Sequence, residues 1–479
     1  MAWTTIASGW HVYSESPYYR GSNPFNIAEG TTASSAVYNG VTWTFDTDYT
    51  VGQFNDGSWW VIDPGTGVTV NSVSPAPSAG VNGSMLNPAS GGNQAFHSGA
   101  DAYNAGLLVS FPVELTANDA LLSSVEYDSL DDPDEWDGND ISGSTHVFVK
   151  EVGVLTVLST APPADAFRPG YCDPDKTIYT ESDIVLANIP SIDTTGITAP
   201  SAGTFATAGE RIARGCSRPW MLFCSNFSGR ETHPTKHMKN YHQFVGEYLS
   251  ELCCYVCTDY EDKDDAVNGL IQIGIDMYWA GITGSADSSF WITPIIMAGH
   301  FLNNSDMLNS AVTGVIGTDP DLYGTPRDYA DFYFYEDRND TTESSIVPAG
   351  QNYMNAAVDG RYVFFRNNLA ANRGYEHLHP TEWNLTADGA TTAGTDRGYR
   401  IDQDSQQHIG MAVAAGICNL WDEWNHPATQ AYIERWMEVE DFTAERTLVG
   451  SGSTGESSSG NNFIDSMYTN HWVSYVNPL

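Results

Sequence analysis

The chain has 479 residues, 41% of them hydrophobic, enough to bury sizeable cores and to fill two or three domains. Its 60 acidic residues outweigh 20 basic ones, for a formal charge of −40. A surface of that sign repels nucleic acid over most of its area, which excludes a general DNA or RNA binder, and it favours solubility in salt.

The N-terminal stretch Met1–Ala7 has neither a basic leader nor an apolar stretch, so no signal peptide is read there. No apolar run reaches the roughly 18 residues that a membrane span needs, so membrane insertion is not expected. The remaining composition, with 44 Gly, 25 Tyr and 14 Trp, looks extracellular. An exported type of surface without an export signal suggests a virion component released by lysis, an unrecognised secretion route, or a leader already removed.

Residues 1–165 carry a β signature and are expected to form a β-sandwich. Val37–Phe45 reads as two short strands around Asn39-Gly40, a dipeptide suited to a tight hairpin. Trp59–Asp63, Val68–Val70, Leu107–Phe111, Ser124–Tyr127 and His146–Lys150 continue the pattern of short strands between turns. Within this region Asp128–Asp140 holds seven carboxylates, and Asp132, Asp134 and Asp137 are candidate Ca²⁺ ligands. The EF-hand pattern fails there, because Trp136 and Asp137 occupy positions that need Asp or Asn and Gly, so a solvated acidic loop is the competing reading. Trp59, Trp60 and Trp136 either stack on sugars or fill the core.

Residues 166–208, rich in Thr, Ser, Pro and Gly, read as a connector. From about residue 209 to 449 the period becomes helical. Helices are expected at Lys239–Tyr260, Asp264–Ala280, Ile292–Leu302, Gln406–Leu420 and Thr429–Val439, with a strand at Tyr362–Arg366. Residues 450–479 read as a flexible polar loop followed by a docking segment. The seven cysteines are an odd number without a disulfide framework. Cys253, Cys254 and Cys257 share one expected helix with no second ligand pair nearby, so they read as core thiols rather than a metal or redox motif.

Three segments together carry a resemblance: the small-residue helix Gly410–Leu420, the aromatic stretch Trp421–Met437, and Phe463–Tyr468. They resemble the closing hairpin and C-terminal segment of the α/α toroid in the heparinase II/III-like and alginate-lyase-like polysaccharide-degrading enzymes. The resemblance spans roughly residues 200–470 and is clearest over 408–437. It implies a toroid-like helical domain with a glycan-binding cleft. One departure matters: the turn Gly284–Trp291 lacks the basic residues usual in that group, and His300 and Asn303 follow at the far end of the next helix. If that turn is catalytic in the group, this chain has changed its substrate or lost activity.

Two constellations could carry chemistry. The segment Arg211–His242 gathers Arg211, Arg214, Arg218, Arg230, Lys236, Lys239 and His242 in an otherwise acidic chain. It suits the carboxylate or sulfate groups of an anionic sugar chain, or else neutralises acidic neighbours. The segment Arg373–Trp383 offers Tyr375, Glu376, His377, His379 and Glu382 in a loop. β-Elimination needs a base for the proton α to a uronate and a partner for the developing charge. Tyr375, His377 or His379 fit the first role, and Arg373 or Arg400 the second. A hydrolase would use a carboxylate pair, Glu376 or Glu382 with Asp402 or Asp404. His300 and His408 are the alternative catalytic histidines. His377-x-His379 alone is a weak metal signal, and no cofactor is expected beyond the Ca²⁺ just described.

The expectation is therefore a polysaccharide-binding and -degrading protein, leaning to a lyase on a uronic-acid-containing glycan. Its setting would be extracellular or a virion tail attacking a host surface glycan, with a homo-oligomer or other tail proteins as partners. The alternatives are a non-catalytic tail or adhesion protein on the same scaffold and a glycoside hydrolase.

Overall fold

The computed structural model describes residues 30–89, 93–99, 103–126, 149–203, 205–216, 219–221, 243–280, 288–310, 357–358, 361–362, 406–424, 433, 437 and 461–475. A β-rich first part is followed by helices.

The hairpin at Asn39-Gly40 forms as expected. Strands β1 (Thr31–Tyr38) and β2 (Val41–Gln53) pair with Tyr38 opposite Val41. Asn39 and Gly40 have φ of 47° and 71°, the left-handed pair that a two-residue hairpin turn requires. Then come β3 (Trp59–Ile62), β4 (Val68–Ser74), β5 (Ser84–Leu86), β6 (Val113–Leu115), β7 (Ala120–Glu126) and β8 (Val149–Leu158). All eight join one sheet in the order β5-β7-β8-β3-β2-β4-β6, with β1 on β2. The β3–β8 pairing is parallel and the others are antiparallel.

Within this half-barrel sheet, β7 and β8 are buried on both sides. Leu121, Leu155 and Val157 face a β core with Trp43, Phe45, Val51 and Val61. Leu122, Val152 and Val154, one residue out of phase, face a second core shared with the helices. Hence β7 and β8 are buried along nearly their whole length rather than at alternate positions. Trp43 lies across Gly153, where an added Cβ would come within 2.6 Å of the indole, and its Nε1 donates to Ser123 Oγ at 3.1 Å.

Two local expectations are corrected. Leu107–Phe111 is no strand: Ala105–Leu107 is a 3-10 turn, because the Asn104 side chain accepts from the Gly106 N–H and captures the backbone. The last strand runs from Val149 to Leu158, well beyond Lys150. Of the two readings of Trp59 and Trp60, the core one holds: they are 6% and 1% exposed.

The connector is irregular but packed. Ala166, Phe167 and Tyr171 are buried, and Ile192 joins the end of the second helix through its N–H to Cys257 O at 2.9 Å. The helices are α1 (Ala208–Cys216), α2 (Gln243–Val256), α3 (Asp264–Ala280), α4 (Ser288–Phe301), α5 (Ser305–Leu308), α6 (Gln406–Ile417), α7 (Trp421–Trp424) and α8 (Asn462–Tyr475). Asp264 and Asp265 sit in the first turn of α3, where the helix dipole favours acids. Small residues permit the tightest crossings. Gly274 of α3 lies against Ala298 and Pro294 of α4, and Gly410 of α6 against Ser250 of α2. Asn303 and Asn419, with φ of 51° and 57°, adopt the left-handed conformation just past α4 and α6.

Cys253, Cys254 and Cys257 are fully buried, as expected of core thiols. Among the described residues, no helix is long and apolar enough to cross a membrane. A two-residue pairing of β9 (Ala357–Val358) with β10 (Arg361–Tyr362) overlaps the start of the strand expected at Tyr362.

Candidate functional site

Two groupings of polar side chains stand out, and they differ in access to solvent. The first is sealed. Asp56 sits in the loop between β2 and β3, Arg168 in the connector, and Asp276 on α3. The Arg168 guanidinium donates from Nη1 and Nη2 to the two Asp276 oxygens at 2.8 and 2.6 Å, and from Nε to Asp56 Oδ2 at 3.1 Å. Gln272, one turn before Asp276, clasps the Arg168 backbone on both sides at 3.0 Å. Asp56 is fixed in turn by the Ser58 N–H at 2.9 Å and by the Tyr38 hydroxyl, which donates to its carbonyl.

Burial disfavours the Arg168 charge, but Asp276 and then Asp56 outweigh it and hold the guanidinium protonated. Burial pushes Asp276 up to about 6, with Arg168 pulling the other way, so the carboxylate is ionised at neutral pH. Arg168 is 0% exposed and Asp276 1%, which leaves no room for a substrate. The triad therefore ties sheet, connector and helices together.

The second grouping reaches the surface at the C-terminal end of α4. His300 is half-buried; burial lowers its pKa, the Glu423 charge opposes this, and the ring is neutral at pH 7. Its carbonyl accepts from Asn188 Nδ2 at 2.7 Å. Asn303 lies exposed just beyond. On α7, Trp424 is buried and donates from Nε1 to Thr293 Oγ1 of α4 at 3.0 Å, which anchors the helix that bears Glu423. Half-buried Trp421 meets Trp424 edge-on at 5.0 Å and Trp472 of α8 at 6.2 Å. Tyr468 stacks on Trp472 at 4.7 Å. A neutral imidazole within reach of a carboxylate charge can accept or relay a proton, and the partly exposed rings of α7 and α8 can stack on a sugar.

Of the residues singled out from sequence, His300 and Asn303 fall at this corner. His408 is 3% exposed inside α6, too enclosed to meet a large substrate. Arg211 is committed to Glu251, with Nη2 to Oε2 at 2.5 Å, and to Ser201 O at 2.8 Å. Arg218, Arg230, Lys236, Lys239, His242, Arg373, Tyr375, His377, His379, Glu382 and Arg400 lie outside the described residues, as do Asp132, Asp134, Asp137 and Trp136. Among the described residues, no group of three or more His, Cys, Asp or Glu is placed to hold a metal ion.

Sequence reasoning missed Arg168, Asp56, Asp276 and Glu423. A signal existed for the first: Phe167-Arg168-Pro169-Gly170-Tyr171 places a lone base among apolar residues, and Gly170 allows Trp279 of α3 to pack within 2.6 Å of where a Cβ would be. No family model matches the chain, and no curated protein or solved structure matches it either.

Proposed function

We propose that the chain binds and cleaves an anionic, uronic-acid-containing polysaccharide by β-elimination, as an extracellular or virion tail component attacking a surface glycan. The observation that carries this reading is the half-buried, neutral His300, which feels the charge of Glu423 on the short helix that also bears Trp421. In the proposed reaction a neutral base takes the proton α to the uronate carboxylate, and the glycosidic oxygen leaves from the neighbouring carbon. Tyr375, His377 and His379 are the other candidate proton carriers, with Arg373 or Arg400 facing the substrate carboxylate. On this reading α2, α3, α4, α6 and α8 belong to an α/α toroid, and the β-rich part is a sandwich-like partner domain.

The test is incubation with a panel of uronic and neutral glycans, following both the unsaturated-uronate absorbance and new reducing ends. A lyase raises both signals on a uronic substrate, and a hydrolase raises reducing ends alone. His300→Gln and His377→Ala, assayed in parallel, assign the proton carrier. A second reading, a non-catalytic tail or adhesion protein, is favoured by the engagement of Arg211 with Glu251, which removes one cation from the basic strip. Glycan binding without either signal would establish that second reading.

A further inference from the structure

Cys257 and Cys418 stand 161 residues apart in the chain and touch at their sulfurs, 3.8 Å from one another. Cys257 directly follows α2 and Cys418 directly follows α6. Each cysteine closes the last turn of its helix: Cys418 N–H donates to Ala414 O at 2.9 Å and Cys257 N–H to Cys254 O at 3.1 Å. Cys257 Sγ also lies 3.2 Å from Cys253 O, and two neighbouring thiols have partners of their own. Cys254 Sγ donates to Gly410 O at 3.1 Å, and Cys216 Sγ lies 2.8 Å from the Tyr248 hydroxyl. A disulfide needs its sulfurs about 2.05 Å apart, so bond formation must draw the two sulfurs together from their present contact.

We infer that Cys257 and Cys418 are an oxidative modification site, a dithiol that a peroxide converts to a disulfide joining the end of α2 to the end of α6.

In the first step one thiolate attacks a peroxide oxygen. The O–O bond breaks, a sulfenic acid forms and hydroxide leaves to be protonated. In the second the other thiolate attacks the sulfenic sulfur, the S–S bond forms, the S–O bond breaks and a second water leaves. Two thiols and one hydrogen peroxide thus give one disulfide and two waters. Two features bear on the rate. The Cys257 contact and then burial raise the Cys418 pKa, so the reaction awaits local opening at the helix ends. Lys263, whose ammonium is held by the carbonyls of Pro190 and Thr258, lies within electrostatic reach of both sulfurs and would stabilise the thiolate once it forms. Cys418 keeps 7% of its surface exposed, which gives a small oxidant a point of entry.

The test uses the full chain, treated with hydrogen peroxide or with dithiothreitol, then alkylated under denaturing conditions and mapped by mass spectrometry without reduction. The expected result is loss of two of the seven alkylatable thiols, a linked Cys257–Cys418 peptide, and recovery of both thiols on reduction. The oxidised protein should also melt at a higher temperature, a shift that Cys418→Ala abolishes. Should that variant fail to fold, the wild-type peptide map decides alone. Linkage to Cys253 or Cys254 instead, or separate over-oxidation of Cys257 and Cys418 without a bond, overturns the proposal.

Discussion

Arg168 and Asp276, 108 residues apart in the chain, meet through a two-point ion pair that solvent does not reach. Removing one partner of such a pair strands the other charge in a medium that cannot solvate it. Arg168→Met, which leaves Asp276 and Asp56 with no cation between them, should cost about 3–5 kcal/mol in urea unfolding. Asp276→Asn keeps the Arg168–Asp56 contact and should cost distinctly less. Equal losses in the two variants would mean that packing, and not charge, dominates at this junction.

Glu126 gives a stability signature in pH. Its Oε1 accepts from the Asn82 N–H at 3.2 Å and the Ser124 hydroxyl at 3.1 Å, yet burial pushes its pKa from 4.5 up to about 8. The folded protein therefore holds this proton where the unfolded chain has released it. Stability should fall as pH rises from about 4.5 to about 8. Thermal midpoints measured across that window should decline in the wild type, and the decline should flatten in Glu126→Gln, which keeps the acceptor oxygen. An unchanged slope in the variant assigns the effect to other groups.

For His300 the sign is reversed. Burial lowers its pKa below 6.5, so the unfolded chain binds the proton more readily, and stability is lost as pH falls through 6.5. A neutral base also stays competent somewhat below the ordinary imidazole range. On a uronic glycan, His300→Gln should lower turnover by roughly two orders of magnitude with folding intact. Near-normal turnover would return the proton transfer to Tyr375, His377 or His379.

Trp424 and Trp421 are four residues' length of one short helix but should behave differently. Trp424→Ala empties a core site and should cost about 3–5 kcal/mol. Trp424→Phe retains most of the volume but orphans the buried Thr293 hydroxyl, for about 1–3 kcal/mol. Trp421, half-buried, should tolerate Ala with a smaller loss and, if the corner binds sugar, show weaker glycan binding. Calorimetry and a binding titration on the same three variants separate these effects.

What could be read from the sequence was local. Asn39-Gly40 specifies its own turn, and Asp264–Ala280 carries its acidic first turn and apolar length within one segment, so both elements appear as expected. The strand Val149–Leu158 was under-read because a strand buried on both faces loses its alternation. Arg168 was hidden for another reason. Its partners lie 112 and 108 residues away, so no window of sequence contains the interaction. Asp56, between Asn55 and Gly57, looks like an ordinary turn residue. At the candidate site His300 and Asn303 were legible as polar residues closing an apolar helix, whereas Glu423 gained significance only when α7 was folded against α4.

The placement of β8 has a consequence for how the protein can be made. It lies in the middle of the sheet, between β7 and β3, yet it is the last of the eight strands to be synthesised. Until Leu158 has left the ribosome, the nascent chain holds two separate wings, β5-β7 on one side and β3-β2-β4-β6 with β1 on the other. Each wing exposes an unpaired edge of the kind that invites aggregation. Even then, one face of β8 waits for helices, and Arg168 waits for Asp276. A fragment ending between β8 and α3 should therefore be prone to aggregate, and the sheet should gain protection from proteolysis only once α3 is included.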